Sequence, residues 1–244
     1  MERRHVSACL CLVFLLGIAF TLPAKGQDAK LLVFSKTAGF RHNSIPAGIK
    51  ALEKLGREQG FVITATEDAG LFTDQGLAPY QAVVFLNTTG DVLNNEQQAA
   101  FERFIRSGKG FVGIHAATDT EYEWPWYGRL VGAYFKSHPP TVEGKLTVVN
   151  KNHPSTKGLP DTFRFEDEWY DYRENPSPEK VNILITIDQT SYDHDSNKNH
   201  PISWCHEFDG GRAFYTLLGH RPESFSEPLM LKHLAGGIRY VLDQ

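Results

Sequence analysis

Cysteine is almost missing from this chain of 244 residues, which holds only Cys9, Cys11 and Cys205. The first two fall in a segment shaped like a secretory signal peptide. Arg3 and Arg4 precede an apolar run from Leu10 to Phe20, and Ala24-Lys25-Gly26 offers small residues ahead of Gln27. Residues 1–26 are therefore expected to send the protein to the periplasm or out of the cell and then be removed. An uncleaved N-terminal anchor is the alternative. The run is short for a membrane span, so no stable membrane insertion is expected after cleavage. Cleavage leaves one thiol, which excludes an internal disulfide and leaves stability to the core.

Basic sequence is scarce too. Losing Arg3, Arg4, Lys25 and Glu2 moves the formal charge from −4 to −6. No basic run with interleaved aromatics survives, so nucleic acid is not an expected partner. GxSxG, P-loop and HExxH patterns are absent, and no two histidines stand at i, i+4. Cys205 lies between Trp204 and His206 inside an apolar stretch, which points its thiol into packing and argues against thiol chemistry.

What remains is a regular alternation of apolar strands and amphipathic helices. Strands are expected at Lys30–Ser35, Phe61–Ala65, Ala82–Leu86 and Gly110–Ile114. A helix capped by Ser44 should run to about Gly60, and another, capped by Asn94 or Asn95, should bury Ala99, Phe101, Phe104 and Ile105 before Gly108. Short connections between such elements predict an α/β fold with a doubly wound, mainly parallel sheet. After Asp119 the pattern changes. Glu121–Phe135 is aromatic and reads as a helix or ordered loop over the crevice. Thr141–Val149, Asn182–Ile187, Ile202–Phe208 and Arg212–Leu217 read as further strands, the last two joined through Asp209-Gly210-Gly211 as a hairpin. Glu227–Leu242 reads as a closing helix. With no disordered linker between these parts, residues 27–244 are expected to form one domain, as a monomer or a homo-oligomer.

The stretch Gly110 to Asp119 organises the chemistry. A buried strand followed by small residues has the form of a nucleophile elbow, but with imidazole at the apex, His115, where such turns carry Ser or Cys. Strand-end loops of an open α/β sheet face the ligand crevice. His42, His115 and His220 are therefore expected there with Glu168, whose neighbours Trp169 and Tyr170 suggest a partly desolvated carboxylate of raised pKa. These four are the candidate catalytic residues, and the three imidazoles are candidate ligands for a divalent metal such as zinc. Arg41 is placed to hold an anionic or carbonyl oxygen, and Phe40, Asn87, Asp119, Trp169 and Tyr170 to bind substrate. Aromatic rings beside carboxylates suit a carbohydrate. His138, His153 and His200, each followed by Pro, read as structural, and His194 and His206 as surface or core.

Gly39-Phe40-Arg41-His42, Gly113-Ile114-His115-Ala116-Ala117, Phe135–Pro139, His153-Pro154, Asp167-Glu168-Trp169-Tyr170 and Gly211–Tyr215 through Gly219-His220 together resemble the ThuA-like, trehalose-utilisation family within the class I glutamine amidotransferase-like superfamily. That resemblance implies a flavodoxin-like fold with antiparallel additions and a role in carbohydrate metabolism. His115 stands where glutaminases carry cysteine, so glutamine hydrolysis is not expected. The function expected is an exported enzyme acting on a sugar or keto-sugar derivative by His/Glu acid–base chemistry. The alternatives are a non-catalytic carbohydrate-binding protein and a zinc-dependent glycoside hydrolase.

Overall fold

The computed structural model describes residues 29–242 and Met1, so the expected signal peptide lies outside the described residues. Leu31 to Phe34 have no exposed surface, as a strand covered on both faces requires. They belong to β1 (Ala29–Phe34), which pairs in parallel with β2 (Phe61–Thr66) and β3 (Ala82–Leu86). β4 (Gly110–Ile114) pairs in parallel with β3 and with the late strand β11 (Gly211–Thr216). Beyond β11 the sheet turns antiparallel through β10 (His200–Phe208), β9 (Asn182–Asp188), β6 (Val142–Val148) and β7 (Thr162–Asp167). The order is β2-β1-β3-β4-β11-β10-β9-β6-β7, with β5 (Phe135–Ser137) and β8 (Asp171–Tyr172) forming a separate small ribbon. This is the expected α/β architecture with a parallel core and antiparallel additions.

Helix α1 (Ile45–Gln59) stops at Gly60, whose φ of 83° terminates it in the left-handed region. Its expected cap works differently. Ser44 makes no capping bond; its hydroxyl donates to the Gly219 carbonyl at 2.9 Å instead, tying the start of α1 to the loop after β11. The short α2 (Asp74–Leu77) has no counterpart in the sequence reading. In α3 (Asn95–Arg106), Asn94 and Gln97 form a reciprocal capping box. Its inward face carries Phe101, Phe104 and Ile105 as expected, with Ala100 in place of Ala99, which is exposed.

The aromatic stretch contributes α4 (Pro125–Val131), whose Tyr127 hydroxyl donates to the Ala117 carbonyl under the elbow. Trp124 and Trp126 stack on each other and join the core. The hairpin forms as expected, with Asp209 and Gly210 both at positive φ (50° and 92°), the signature of a type I′ turn. Cys205 is buried, and burial lifts its thiol to about 11. α5 (Pro228–Leu242) packs on β11 and β4. Among the described residues no helix is long and apolar enough to cross a membrane.

One buried histidine away from the crevice makes stability depend on pH. Burial lowers His153 from 6.5 to about 4. Its Nδ1 accepts from the Ser155 backbone N–H, so it is neutral in the fold. Between pH 6.5 and 4 the unfolded chain binds a proton that the folded chain refuses, so stability falls as pH drops through that window. The loss reaches about 3 kcal/mol near pH 4. Unfolding free energies from urea titrations of the wild type and His153→Gln should diverge by about 2.5 kcal/mol between pH 7.5 and 4.5; parallel pH dependences would contradict it.

Candidate metal centre and its cavity

The site is built at the carboxyl ends of the parallel strands. β4 ends in a 3-10 turn, His115–Asp119, and His115 itself sits at φ 48°. A non-glycine residue there is strained, and strain of this kind collects at functional turns. The preceding Gly113 is needed for close approach, since a Cβ would meet the Tyr215 ring at 3.0 Å and Ala117 at 3.2 Å. His115 Nδ1–H donates to the Leu217 carbonyl at 2.8 Å, which fixes the tautomer and turns Nε2 toward the crevice. There the Tyr170 hydroxyl donates to Nε2 at 2.9 Å, and Glu168 Oε2 lies 3.5 Å away.

His42 arrives from the loop after β1 and His220 from the loop after β11. The three imidazole centroids form a triangle: 4.9 Å from His42 to His115, 5.3 Å from His42 to His220 and 5.3 Å from His115 to His220. Glu168 closes the group, with Oε2 3.2 Å from His220 Nδ1 and Oε1 3.0 Å from His138 Nδ1. One ligand atom from each of His42, His115, Glu168 and His220 lies within 4.8 Å of the others. Nδ1 of His42 is buried without a hydrogen-bond partner, and Nδ1 of His220 faces only Glu168. An orphaned imidazole nitrogen beside a carboxylate is what a metal would satisfy, and three imidazoles with one carboxylate form a donor set suited to zinc.

Electrostatics fit this reading at His42 and Glu168, while His220 is set up as an ion-pair partner of Glu168 that a cation would have to deprotonate. Burial, with the nearby imidazoles adding to it, drives His42 down to about 3, so its ring is neutral and able to ligate. Burial alone would raise Glu168, but its contacts with His115 and His220 outweigh that and hold it well below the usual carboxylate range. This reverses the raised pKa expected from its aromatic neighbours. His220 is lowered by burial and raised more by Glu168, for a net upward shift.

Below the cluster, the Asp167 carboxylate receives four donors: the backbone N–H groups of Gly219 (2.8 Å), His220 (3.0 Å) and Glu168 (3.0 Å), and the Ser224 hydroxyl (3.0 Å). Burial pushes its pKa up, yet four donors and no acceptor are the pattern of an ionised carboxylate. Above the cluster opens a cavity of about 300 Å³ lined by Phe40, His42, Asp119, Phe135, His138, Glu168, Tyr170 and His220.

The family model for ThuA, trehalose utilisation, matches residues 30–241. The chain belongs to the ThuA family. Membership places it in carbohydrate metabolism, and solved structures agree on the fold. A ThuA-like protein from Bacteroides uniformis ATCC 8492 is 26% identical with a TM-score of 0.75, over 89% of this chain and 93% of that one. A second, from Parabacteroides merdae ATCC 43184, is 22% identical with a TM-score of 0.75, over 88% and 90%. The β-galactosidase from Bacillus circulans sp. alkalophilus shares the fold alone, at 13% identity and a TM-score of 0.55, over 88% of this chain and 30% of its own length. A comparison with curated proteins finds no match.

Within this ThuA fold the expected residues separate into three groups. His42, His115, Glu168 and His220 converge, and Phe40, Asp119 and Tyr170 line the cavity with them. Arg41 does not line it. Its guanidinium is half exposed and pairs with Glu67 at 2.7 Å, because the loop that turns His42 inward turns its neighbour outward. Asn87 and Trp169 are structural. Asn87 Nδ2 donates to Ser44 Oγ and the Gly219 carbonyl, locking three strand-end loops together. Trp169 is 1% exposed, and its Nε1 donates to the Val142 carbonyl.

Three residues were missed. His138 reads as a loop histidine before Pro139, yet its Nδ1 lies 3.0 Å from Glu168 Oε1 and its ring lines the cavity. Phe135 reads as part of an aromatic run, but its ring lies 4.3 Å from that of Tyr170. Asp167 is hidden in an acidic triplet. His200 is structural as expected: its Nε2 donates to the Tyr170 carbonyl.

Proposed function

We propose that this protein is an exported enzyme of carbohydrate metabolism that acts on a sugar or keto-sugar derivative at a divalent metal, zinc by its donor set. His42, His115, Glu168 and His220 would hold the ion, His115 through the Nε2 lone pair that the Tyr170 hydroxyl would have to release. The observation that carries this reading is their convergence, with the buried His42 Nδ1 left unpartnered at the bottom of a ligand-sized cavity. A bound cation there supplies a Lewis acid for a carbonyl or hydroxyl oxygen.

The chain's own groups do the rest. Asp119 accepts the Tyr122 hydroxyl at 2.6 Å through one oxygen and has the other to offer a substrate hydroxyl. Phe40, 66% exposed at the rim, and the paired rings of Phe135 and Tyr170 present faces for sugar C–H groups. His138, with 40% of its side chain exposed, connects Glu168 to solvent. A cavity of about 300 Å³ is at the lower end for ligand sites, which favours a single sugar ring over a glycosidic linkage held from both sides.

The test joins elemental analysis of the purified protein to a turnover screen over keto-sugars and disaccharides. About one zinc per chain, with turnover that chelation removes and zinc restores, is the expected result. Sugar affinity without turnover across the panel would assign it to the non-catalytic binders. Protein that retains no metal after zinc is added and dialysed would overturn the metal centre.

A further inference from the structure

A second and larger cavity, about 610 Å³, lies between α4, the segment 173–181 and the end of β10. Three cations from different parts of the chain line it: Arg129 on α4, Arg173 just after β8, and Lys180 ahead of β9. Among the described residues none of the three is in an ion pair. What sets the three apart is that separate segments of a chain acidic overall bring them to one cavity.

Arg173 is also held in place. Its backbone N–H donates to the Tyr134 carbonyl at 2.8 Å. Its guanidinium lies 4.0 Å over the Tyr122 ring and 5.9 Å from that of Tyr134. A stacked guanidinium keeps its N–H edge free, so it is pre-organised for an oxyanion with little rotamer freedom left to lose. The same cavity carries Tyr134 as an apolar wall and two carboxylates, Glu174 and Glu207, able to accept from hydroxyls.

We propose that this cleft binds an anionic sugar, a sugar-sized polyol bearing a phosphate or carboxylate group. The three cations would meet the oxyanion, Glu174 and Glu207 the hydroxyls, and Tyr134 a C–H face. The site is distinct from the metal cavity and yet touches it, because Tyr122, on which Arg173 stacks, donates to Asp119 at 2.6 Å.

The experiment is calorimetric titration of the full mature protein with glucose 6-phosphate, glucuronate and glucose at low ionic strength. Saturable binding is expected for at least one of the two anionic sugars, with glucose weaker by about tenfold or more, as loss of a charge-assisted contact implies. Which of the two binds more tightly identifies the oxyanion. The double variant Arg129→Glu, Lys180→Glu should lose that preference while keeping its metal content; Arg129→Gln, Lys180→Gln repeats this arm should the reversed pair fold poorly. His42→Ala should keep it. Binding that follows His42 rather than the cations would assign the ligand to the metal cavity and overturn the proposal. So would anionic sugars that bind no better than glucose.

Discussion

Replacing His115 by alanine is expected to remove bound metal and lower turnover by about 10³-fold or more, while the sheet still forms. Losing a residue that merely orients a metal ligand costs about 10–100-fold, so losing a ligand itself should cost more. General acid–base catalysis, which contributes about 10²–10⁴, goes with it. The fold should survive because the imidazole makes only two hydrogen bonds: one donated to the Leu217 carbonyl and one accepted from Tyr170. Alanine keeps the positive φ but adds no bulk, and strain of about 1–3 kcal/mol is already present at that turn in the wild type. A readout besides activity is available. Zinc at a hundred times its dissociation constant stabilises the wild type by about 2.7 kcal/mol, and the variant should show none of that gain. A variant that still melts higher in zinc would remove His115 from the ligand set. A variant with sugar affinity intact and turnover gone supports the enzyme, because binding and chemistry then separate.

The sequence showed the parallel core clearly because Leu31–Phe34, Ala82–Leu86 and Gly110–Ile114 are uninterrupted apolar runs, as strands covered on both faces must be. The elbow was legible for a related reason: small residues on either side of His115 make sense only where backbone and rings come close. The antiparallel wing was harder. β7 reads Thr-Phe-Arg-Phe-Glu-Asp, an exposed edge strand running into charges, and a single buried face leaves a weak signal. That gap explains the main misses. Asp167, the last residue of β7, and His138, just past β5, act through where the chain's path puts those strand ends, which no local pattern encodes. Arg41 and Trp169 failed in the opposite sense. Each stands next to a cavity residue, and a neighbour in sequence points elsewhere as soon as the backbone is extended or turning.

Asp167→Ala is expected to cost about 3–5 kcal/mol of stability, and for a reason separate from the metal. Removing the carboxylate leaves the N–H groups of Gly219, His220 and Glu168 and the Ser224 hydroxyl facing no acceptor. An unsatisfied buried donor costs about 1–3 kcal/mol, and although the hydroxyl can rotate away, three of the four are backbone groups that cannot. Against this stands the relief of no longer burying a charge. That relief is small, because four donors already compensate the carboxylate. A loss of this size is a large fraction of the roughly 5–15 kcal/mol that holds a typical domain together, so the variant should melt well below the wild type. Asp167→Asn tests the same point more finely, since it keeps the volume but turns an amide donor toward donors; it should recover little. If Asp167 also positions the centre, zinc affinity measured below the melting transition should fall by about 10–100-fold, because the two residues it anchors, Glu168 and His220, both face the ion. Loss of stability with zinc affinity unchanged would confine Asp167 to the fold, and unchanged stability would mean that water replaces the carboxylate at all four donors.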